Sequence, residues 1–260
     1  MVEDLPFDNY QAWVREMTSP EGIAKDAVAS ASSGKFAWKN GRWCAATYPG
    51  VTVITPPFVD STDNHATYVA IADLQQAVVQ RLGVEKLAIL PLSSFHLTAA
   101  DLLASHAYTA YMHHAGAQDA LLAQLETVFS EIGQLPAPRL RVLGLSAFGE
   151  GVQALLDFAD RQDYERVVRL RDAIYTKVNP EVIKRMSPYR AHISLLYTHY
   201  TPEDDTSAFA AALNELNATT DWAAIPPFTL TRAEYRYFDN MAAFTRRPEW
   251  PRYRFAPVGD

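Results

Sequence analysis

Apolar positions recur at helical spacing in several stretches of this chain. Tyr68, Ile71, Leu74, Val78 and Leu82 share one face and Gly83 follows as a stop, so the spacing predicts a helix over 66–82. A second helix is expected over 119–132, through Leu121, Leu122, Leu125, Val128, Phe129 and Ile132, and a third over 163–178, through Tyr164, Val167, Val168, Ile174, Tyr175 and Val178. Residues 8–17 and 205–216 read as shorter helices. Between them, β-branched and alternating runs predict strands. WCAATYPG and VTVITPPF (43–58) read as strands around a Pro-Gly turn, and KLAILPLSSFHLT (86–98) as a buried strand interrupted at Pro91. LRVLGLSAFG (140–149) and GVQALLDFA (151–159) flank a Gly-Glu-Gly break. YRAHISLLY (189–197) is a further strand, and FTLTRAEYRYFDN (228–240) with MAAFTRR (241–247) forms a final hairpin. ASASSGK (29–35) reads as loop.

The order strand, helix, histidine-bearing strand, helix, strand occurs twice, over 51–148 and 151–238, with an offset near 96 residues. This predicts an α+β fold: a bilobal domain of two pseudo-symmetric lobes, each with an antiparallel sheet flanked by helices, around a central cleft. Residues 1–38 are expected to be an N-terminal extension, and 39–260 a single domain whose lobes are interleaved by the repeat. With 260 residues and 48% apolar content, a sizeable core needs no covalent staples.

Composition narrows the partners. The net charge of −7 argues against a broad basic footprint for long duplex nucleic acid, while leaving room for a small anionic ligand held locally. No apolar run approaches the ~20 residues of a membrane span, and the acidic start MVEDLPFDNY lacks a signal pattern. A soluble cytoplasmic monomer without membrane partners is expected. The single cysteine, Cys44, reads as a small buried apolar residue.

Four of the seven histidines precede a hydroxyl residue by two: His65-Ala-Thr67, His96-Leu-Thr98, His192-Ile-Ser194 and His199-Tyr-Thr201. The pattern alone is therefore common here, and context must sort it. His65 precedes a helix among Asp63 and Asn64 and reads as a capping or solvent residue; His199 lies past a strand end and reads as loop. His96 and His192 are each expected late in an apolar strand, at matched places in the repeat. Alternation along a strand then sets His96 beside Thr98 and His192 beside Ser194, with Leu97 and Ile193 turned into the core.

Such a set suits phosphodiester cleavage. One neutral histidine can take the nucleophile's proton while a charged partner protonates the leaving oxygen, each role worth about 10²–10⁴-fold. The two hydroxyls can donate to the non-bridging oxygens as charge builds. No metal or other cofactor is required.

The segments SSFHLTAAD (93–101) and YRAHISLLY (189–197) resemble the paired H-x-T/S motifs of the 2H phosphoesterase superfamily. That superfamily includes bacterial RNA 2′,3′-cyclic phosphodiesterases, once described as 2′–5′ RNA ligases, and eukaryotic cyclic phosphodiesterases. ATYPGVTV and LPLSSFHLT look closest to an uncharacterised bacterial branch. The resemblance covers the element order of roughly 40–247, but only the two motifs are specific. It implies that His96 and His192 are the acid–base pair, that Thr98 and Ser194 hold the phosphate, and that the substrate is a small nucleotide or an RNA end. Ala99 and Ala100 depart from the apolar or aromatic residues that commonly follow the first motif.

Weaker candidates share the histidines' faces. Ser94 and Arg190 each stand two residues before a histidine and are further phosphate-binding candidates; Arg190 could instead be an exposed strand arginine. Tyr235 and Tyr237 share a face of a late strand and could stack on a base, or simply pack. Two other functions compete. The same cleft could bind a nucleotide or phosphorylated ligand without turnover, or His106, His113 and His114 could ligate a metal, although no carboxylate stands at a fixed spacing from them.

Overall fold

The computed structural model describes residues 2–29, 32–201 and 203–257. Two helices open the chain, α1 (Phe7–Thr18) and α2 (Pro20–Val28). α1 stands where the 8–17 helix is expected and buries Tyr10, Val14 and Met17. α2 is revealed by its start rather than by apolar spacing. Pro20 opens it, where a missing N–H costs little, and the Ser19 hydroxyl accepts from the Gly22 N–H. Ser30 and Ala31 of the expected 29–35 loop lie outside the described residues.

A hairpin of β1 (Phe36–Lys39) and β2 (Arg42–Ala45) follows, then β3 (Gly50–Ile54), α3 (His65–Leu82), β4 (Leu87–Ile89), β5 (Thr98–Ala104), α4 (Ser105–Met112), α5 (Ala117–Glu131) and β6 (Arg139–Ser146). The second half continues as β7 (Gly151–Phe158), α6 (Arg161–Lys177), β8 (His192–Thr198), α7 (Ser207–Thr219), β9 (Phe228–Thr229), β10 (Arg232–Asn240), β11 (Ala243–Thr245) and β12 (Arg252–Arg254). The two halves are in close register. Asn64 and Asp160 stand at the N-caps of α3 and α6, Tyr68 and Tyr164 are buried one turn in, and each pair is 96 positions apart, like His96 and His192.

The architecture is the α+β arrangement of two sheet-bearing lobes that the pattern predicts. One antiparallel sheet runs β11-β10-β3-β5, with β12 added on β10; the other runs β4-β8-β7-β6-β9. α4 packs on the first sheet, α1 and α3 on the second, and α6 on β5 and β7. β3, Gly-Val-Thr-Val-Ile, is buried throughout, which suits its β-branched run to a central strand.

Strands cross between the two halves: β6 pairs with β7 in the second sheet, and β10 returns to pair with β3 in the first. Three expectations are corrected. β2 and β3 flank Pro49 without pairing to each other, because β2 pairs with β1. The 86–98 stretch is not one strand. β4 ends before Pro91, which lacks the N–H a ladder needs, and a 3₁₀ turn over Leu92–Ser94 carries the chain to the other sheet, where β5 begins at Thr98. His96 therefore stands just before β5, and His192 opens β8, rather than each lying late in a strand. The 228–240 stretch divides likewise, with β9 going to the second sheet and β10 to the first.

Candidate active site

The two histidine segments have the same local build. His96 Nδ1 lies 2.7 Å from the Ser94 carbonyl oxygen, and His192 Nδ1 lies 2.9 Å from that of Arg190. A carbonyl only accepts, so each Nδ1 carries the hydrogen and each neutral ring keeps its lone pair on Nε2. Leu97 and Ile193, next in each segment, are fully buried and hold the backbone down. Thr98 and Ser194 come next, half-buried, and among the described residues neither hydroxyl has a hydrogen-bond partner.

A β-bulge follows each hydroxyl residue. Thr98 faces Ile54 and Ala100 faces Val53, which leaves Ala99 as the extra residue; Ser194 faces Gln153 and Leu196 faces Val152, which leaves Leu195. The extra residue changes the alternation, so Asp101 and Tyr197, three residues past the hydroxyls, turn to the same side as them.

These elements enclose one cavity of 370 Å³, lined by His96, Thr98, His192 and Ser194 together with Arg190 and Lys35. A neighbouring cavity of 530 Å³ also touches His96 and Thr98 and adds the rings of Tyr48, Phe238 and Phe244. Both volumes fall in the range of small-molecule sites.

Burial dominates the electrostatics. It lowers the His96 pKa to about 4, with a smaller push from the Arg236 charge, against the bond to the Ser94 carbonyl. It lowers the His192 pKa to about 3, helped by the Arg190 charge and, less, by His96 and Lys35. Both imidazoles are thus neutral near pH 7 in the protein alone. Arg190 is half-buried between the Phe148 ring at 3.8 Å and the Trp13 ring at 6.0 Å, its buried Nε has no partner among the described residues, and desolvation lowers its pKa to about 10. Lys35 lies 3.2 Å from Glu150 and 4.9 Å from the Tyr197 ring centre, so its charge is shared between the cleft wall and that carboxylate.

The structure brings His96, His192, Thr98, Ser194 and Arg190 together and separates the other candidates. Ser94 touches the cavity, but it sits in the 3₁₀ turn and its hydroxyl donates to the Pro91 carbonyl at 2.7 Å, so its hydrogen is already used. Tyr235 and Tyr237 do not line either cavity. Tyr235 is 1% exposed and packs edge-on against Trp250, and Tyr237 lies by Tyr108 and Asp239. The opposite face of β10 carries Phe238 to the cleft, so the stacking assignment to Tyr235 and Tyr237 takes the wrong face of the strand. His199 stacks on Trp43 at 3.3 Å and bonds Ser32, and His65 opens α3 beside Phe58, both outside the cavity linings. His106, His113 and His114 are exposed, and among the described residues no group of three or more His, Cys, Asp or Glu is placed to hold a metal ion. Cys44 is half-buried on β2 rather than in the core.

Sequence reasoning missed Lys35, Asp101 and Tyr197. Lys35 sits at the end of a loop with no pattern to expose it. Asp101 and Tyr197 are hidden by the bulges: strict alternation assigns the cleft to Ala100, which lines neither cavity, and to Leu196, beside which Tyr197 also lines it.

Residues 39–143 match a family model described as 2H-phosphodiest, a domain of unknown function (DUF1868), and the match takes in the first motif. No curated protein matches the chain. Among solved structures, the conserved protein of unknown function ATU0111 from Agrobacterium tumefaciens str. C58 is similar at a TM-score of 0.60 and 22% identity, covering 83% of this chain and 90% of that one. It supports the fold. LigT of E. coli, complexed with NADP+, is similar at a TM-score of 0.44 and 13% identity, covering 80% of this chain and 98% of that one. TT0787 of Thermus thermophilus is similar at 0.43 and 14%, covering 72% and 86%. The family match takes in the first motif, and a matched second motif stands on the facing lobe; over residues 39–143 the chain is similar to the 2H phosphodiesterase family.

Proposed function

We propose that the protein is a metal-independent phosphodiesterase that hydrolyses a 2′,3′-cyclic phosphate or a related nucleotide or RNA-end ester. The family match over the first motif supports activity on a phosphoric ester. The observation that carries the finer reading is the matched pair of imidazoles. Both give Nδ1–H to a main-chain carbonyl two residues back, both leave Nε2 to one cavity, and each has an unpartnered hydroxyl beside it.

In this reading water attacks phosphorus in line. One histidine takes the water's proton at Nε2 as the new P–O bond forms. The other protonates the 2′ or 3′ oxygen as its bond to phosphorus breaks, leaving a phosphomonoester and a free hydroxyl. Thr98 and Ser194 donate to the non-bridging oxygens, and Arg190, with an unused buried Nε–H, adds a fixed positive charge. The anion itself raises the pKa of the nearer imidazole and so supplies the charged acid.

One observation favours binding without turnover as a second reading: burial keeps both imidazoles neutral, and an acid–base pair needs one of them charged. A panel of 2′,3′-cyclic nucleotides, cyclic-ended RNA, ADP-ribose cyclic phosphate and 2′–5′ dinucleotides, run with chelator present, separates the two. Turnover that persists in chelator and is lost in both His96→Ala and His192→Ala is expected. Tight mononucleotide binding with no turnover of any member, or turnover surviving in both variants, overturns the proposal.

A further inference from the structure

We propose that Gln75 and Arg171 are positioning residues that clamp the two histidine motifs crosswise, each repeat's helix fixing the motif of the other. The inference rests on the two-histidine reading of the cleft. It starts from the bulges. An extra residue interrupts the ladder and leaves a buried carbonyl in need of a donor. The Ala99 carbonyl accepts from Arg171 Nη1 at 2.7 Å. The Leu195 carbonyl accepts from Gln75 Nε2 at 2.5 Å and from the Leu90 N–H at 3.1 Å, and Gln75 Nε2 also reaches the Leu90 carbonyl at 2.8 Å.

Gln75 and Arg171 are 96 positions apart, as are Ala99 and Leu195, Thr98 and Ser194, and His96 and His192. The two contacts are therefore the same contact made twice by the repeat, with a neutral donor once and a charged one once. Gln75 is 3% exposed and Arg171 4%. The crossing follows from packing: α3, from the first repeat, lies against β8, and α6, from the second, lies against β5.

The bulge is the point at which either strand could slip back to regular pairing. Such a slip would return Asp101 and Tyr197 to the other face and re-aim Thr98 and Ser194. A helix side chain bonded to the extra residue's carbonyl opposes it, and a hydroxyl meant to meet a phosphoryl oxygen needs placement to a fraction of an ångström. Arg171 is held in turn by Asp4, whose Oδ2 lies 2.9 Å from Arg171 Nε and whose Oδ1 accepts from the Tyr189 N–H at 2.6 Å. Asp4 thereby ties the clamp on the first motif to the chain that leads into the second.

The test is hydrogen exchange, read by mass spectrometry on the segments around 95–103 and 191–199, in Arg171→Met, Arg171→Lys and Gln75→Leu. Arg171→Met is expected to speed exchange of the first segment about 10-fold and leave the second unchanged, and Gln75→Leu to do the reverse. With 2′,3′-cyclic AMP, kcat is expected to fall about 10- to 100-fold while KM stays within about twofold, and Arg171→Lys is expected to recover part of the loss. Loosening confined to the helix's own motif, or equal in both segments for Arg171→Lys and Gln75→Leu, overturns the clamp. The exchange pattern decides this even if the protein turns over no cyclic nucleotide, so the clamp and the phosphodiesterase reading fail separately.

Discussion

At His96 the imidazole meets the Phe244 ring edge-on at 4.2 Å, and Arg236, whose charge slightly lowers the imidazole's pKa, is already paired with Glu234 at 2.7 Å and Asp60 at 2.6 Å. At His192 two cations act: Arg190, with no carboxylate bonded to it among the described residues, stands two residues away, and Lys35, paired with Glu150, faces the same cavity. The two motifs share backbone geometry, tautomer and bulge, and differ in field. The repeat has kept the placement of atoms while the environment has diverged. Two equivalent histidines can then take unequal roles, one by an apolar, aromatic wall and one by an anion-attracting wall.

The largest expected effect is loss of either imidazole. His96→Ala and His192→Ala should each lower kcat by about 10²–10⁴-fold with the fold intact by circular dichroism. A substrate with an activated leaving group, such as a p-nitrophenyl phosphodiester, sharpens the comparison, because a good leaving group needs no acid. The bound anion charges the imidazole nearer to it, and Arg190 and Lys35 draw the anion to the His192 wall, so His192 is expected to be the acid: His192→Ala should recover most of its rate on that substrate and His96→Ala should not. Recovery in His96→Ala alone would reverse the roles, and recovery in neither would break the division of labour.

Next in size is a stability effect at the N-terminus. The Asp4 carboxylate is nearly fully buried between Arg171 and Arg185, so Asp4→Ala leaves the buried Arg171 without its counter-charge and Arg185 with Asp172 alone. A loss of about 3–5 kcal/mol is expected in urea unfolding, since one partner of a buried pair is removed. A change below about 1 kcal/mol would show that the extension is dispensable to the scaffold. Arg190→Met follows. It keeps the packing on Phe148 and removes the charge, so KM for an anionic substrate should rise about tenfold with less change in kcat. An equal change in His96-side substitutions at Phe244 would erase the contrast between the two walls.

Much of this was legible in residue order. The spacing of Tyr68, Ile71, Leu74 and Val78 locates α3, and matched motifs at matched places in the repeat single out His96 and His192 from four look-alike histidines. What escaped had physical causes. Pro91 ends a strand that reads as continuous, and whether the chain then resumes in the same sheet or crosses to the other is a tertiary matter that local pattern does not encode. A bulge costs one residue of parity, which hides Asp101 and Tyr197 behind Ala100 and Leu196. Tyr235 and Tyr237 looked presentable because alternation names two faces of β10 without saying which one meets the cleft. Lys35 and Asp4 act from segments with no periodic pattern, where only the folded chain brings them to the site.

Near neutral pH the smallest expected effect is the dependence of stability on pH, and it tests the field difference in the absence of any substrate. Both histidines have folded pKa values below the ordinary 6.5, at about 4 for His96 and about 3 for His192, chiefly from burial. Between those values and 6.5 the unfolded chain binds protons that the folded chain does not, so stability should rise with pH across that window and fall as pH drops from 6.5. His192→Gln and His96→Gln should each flatten the acid side of the stability curve. His192→Gln should flatten it further, to lower pH, because its folded pKa lies lower. Imidazole resonances titrated by NMR should order the two sites the same way, and added inorganic phosphate should raise the His192 midpoint more than that of His96, since Arg190 and Lys35 draw the anion to that wall. Coincident midpoints that move together with phosphate would mean that the two walls are electrostatically alike, and that the repeat has kept its fields matched as well as its atoms.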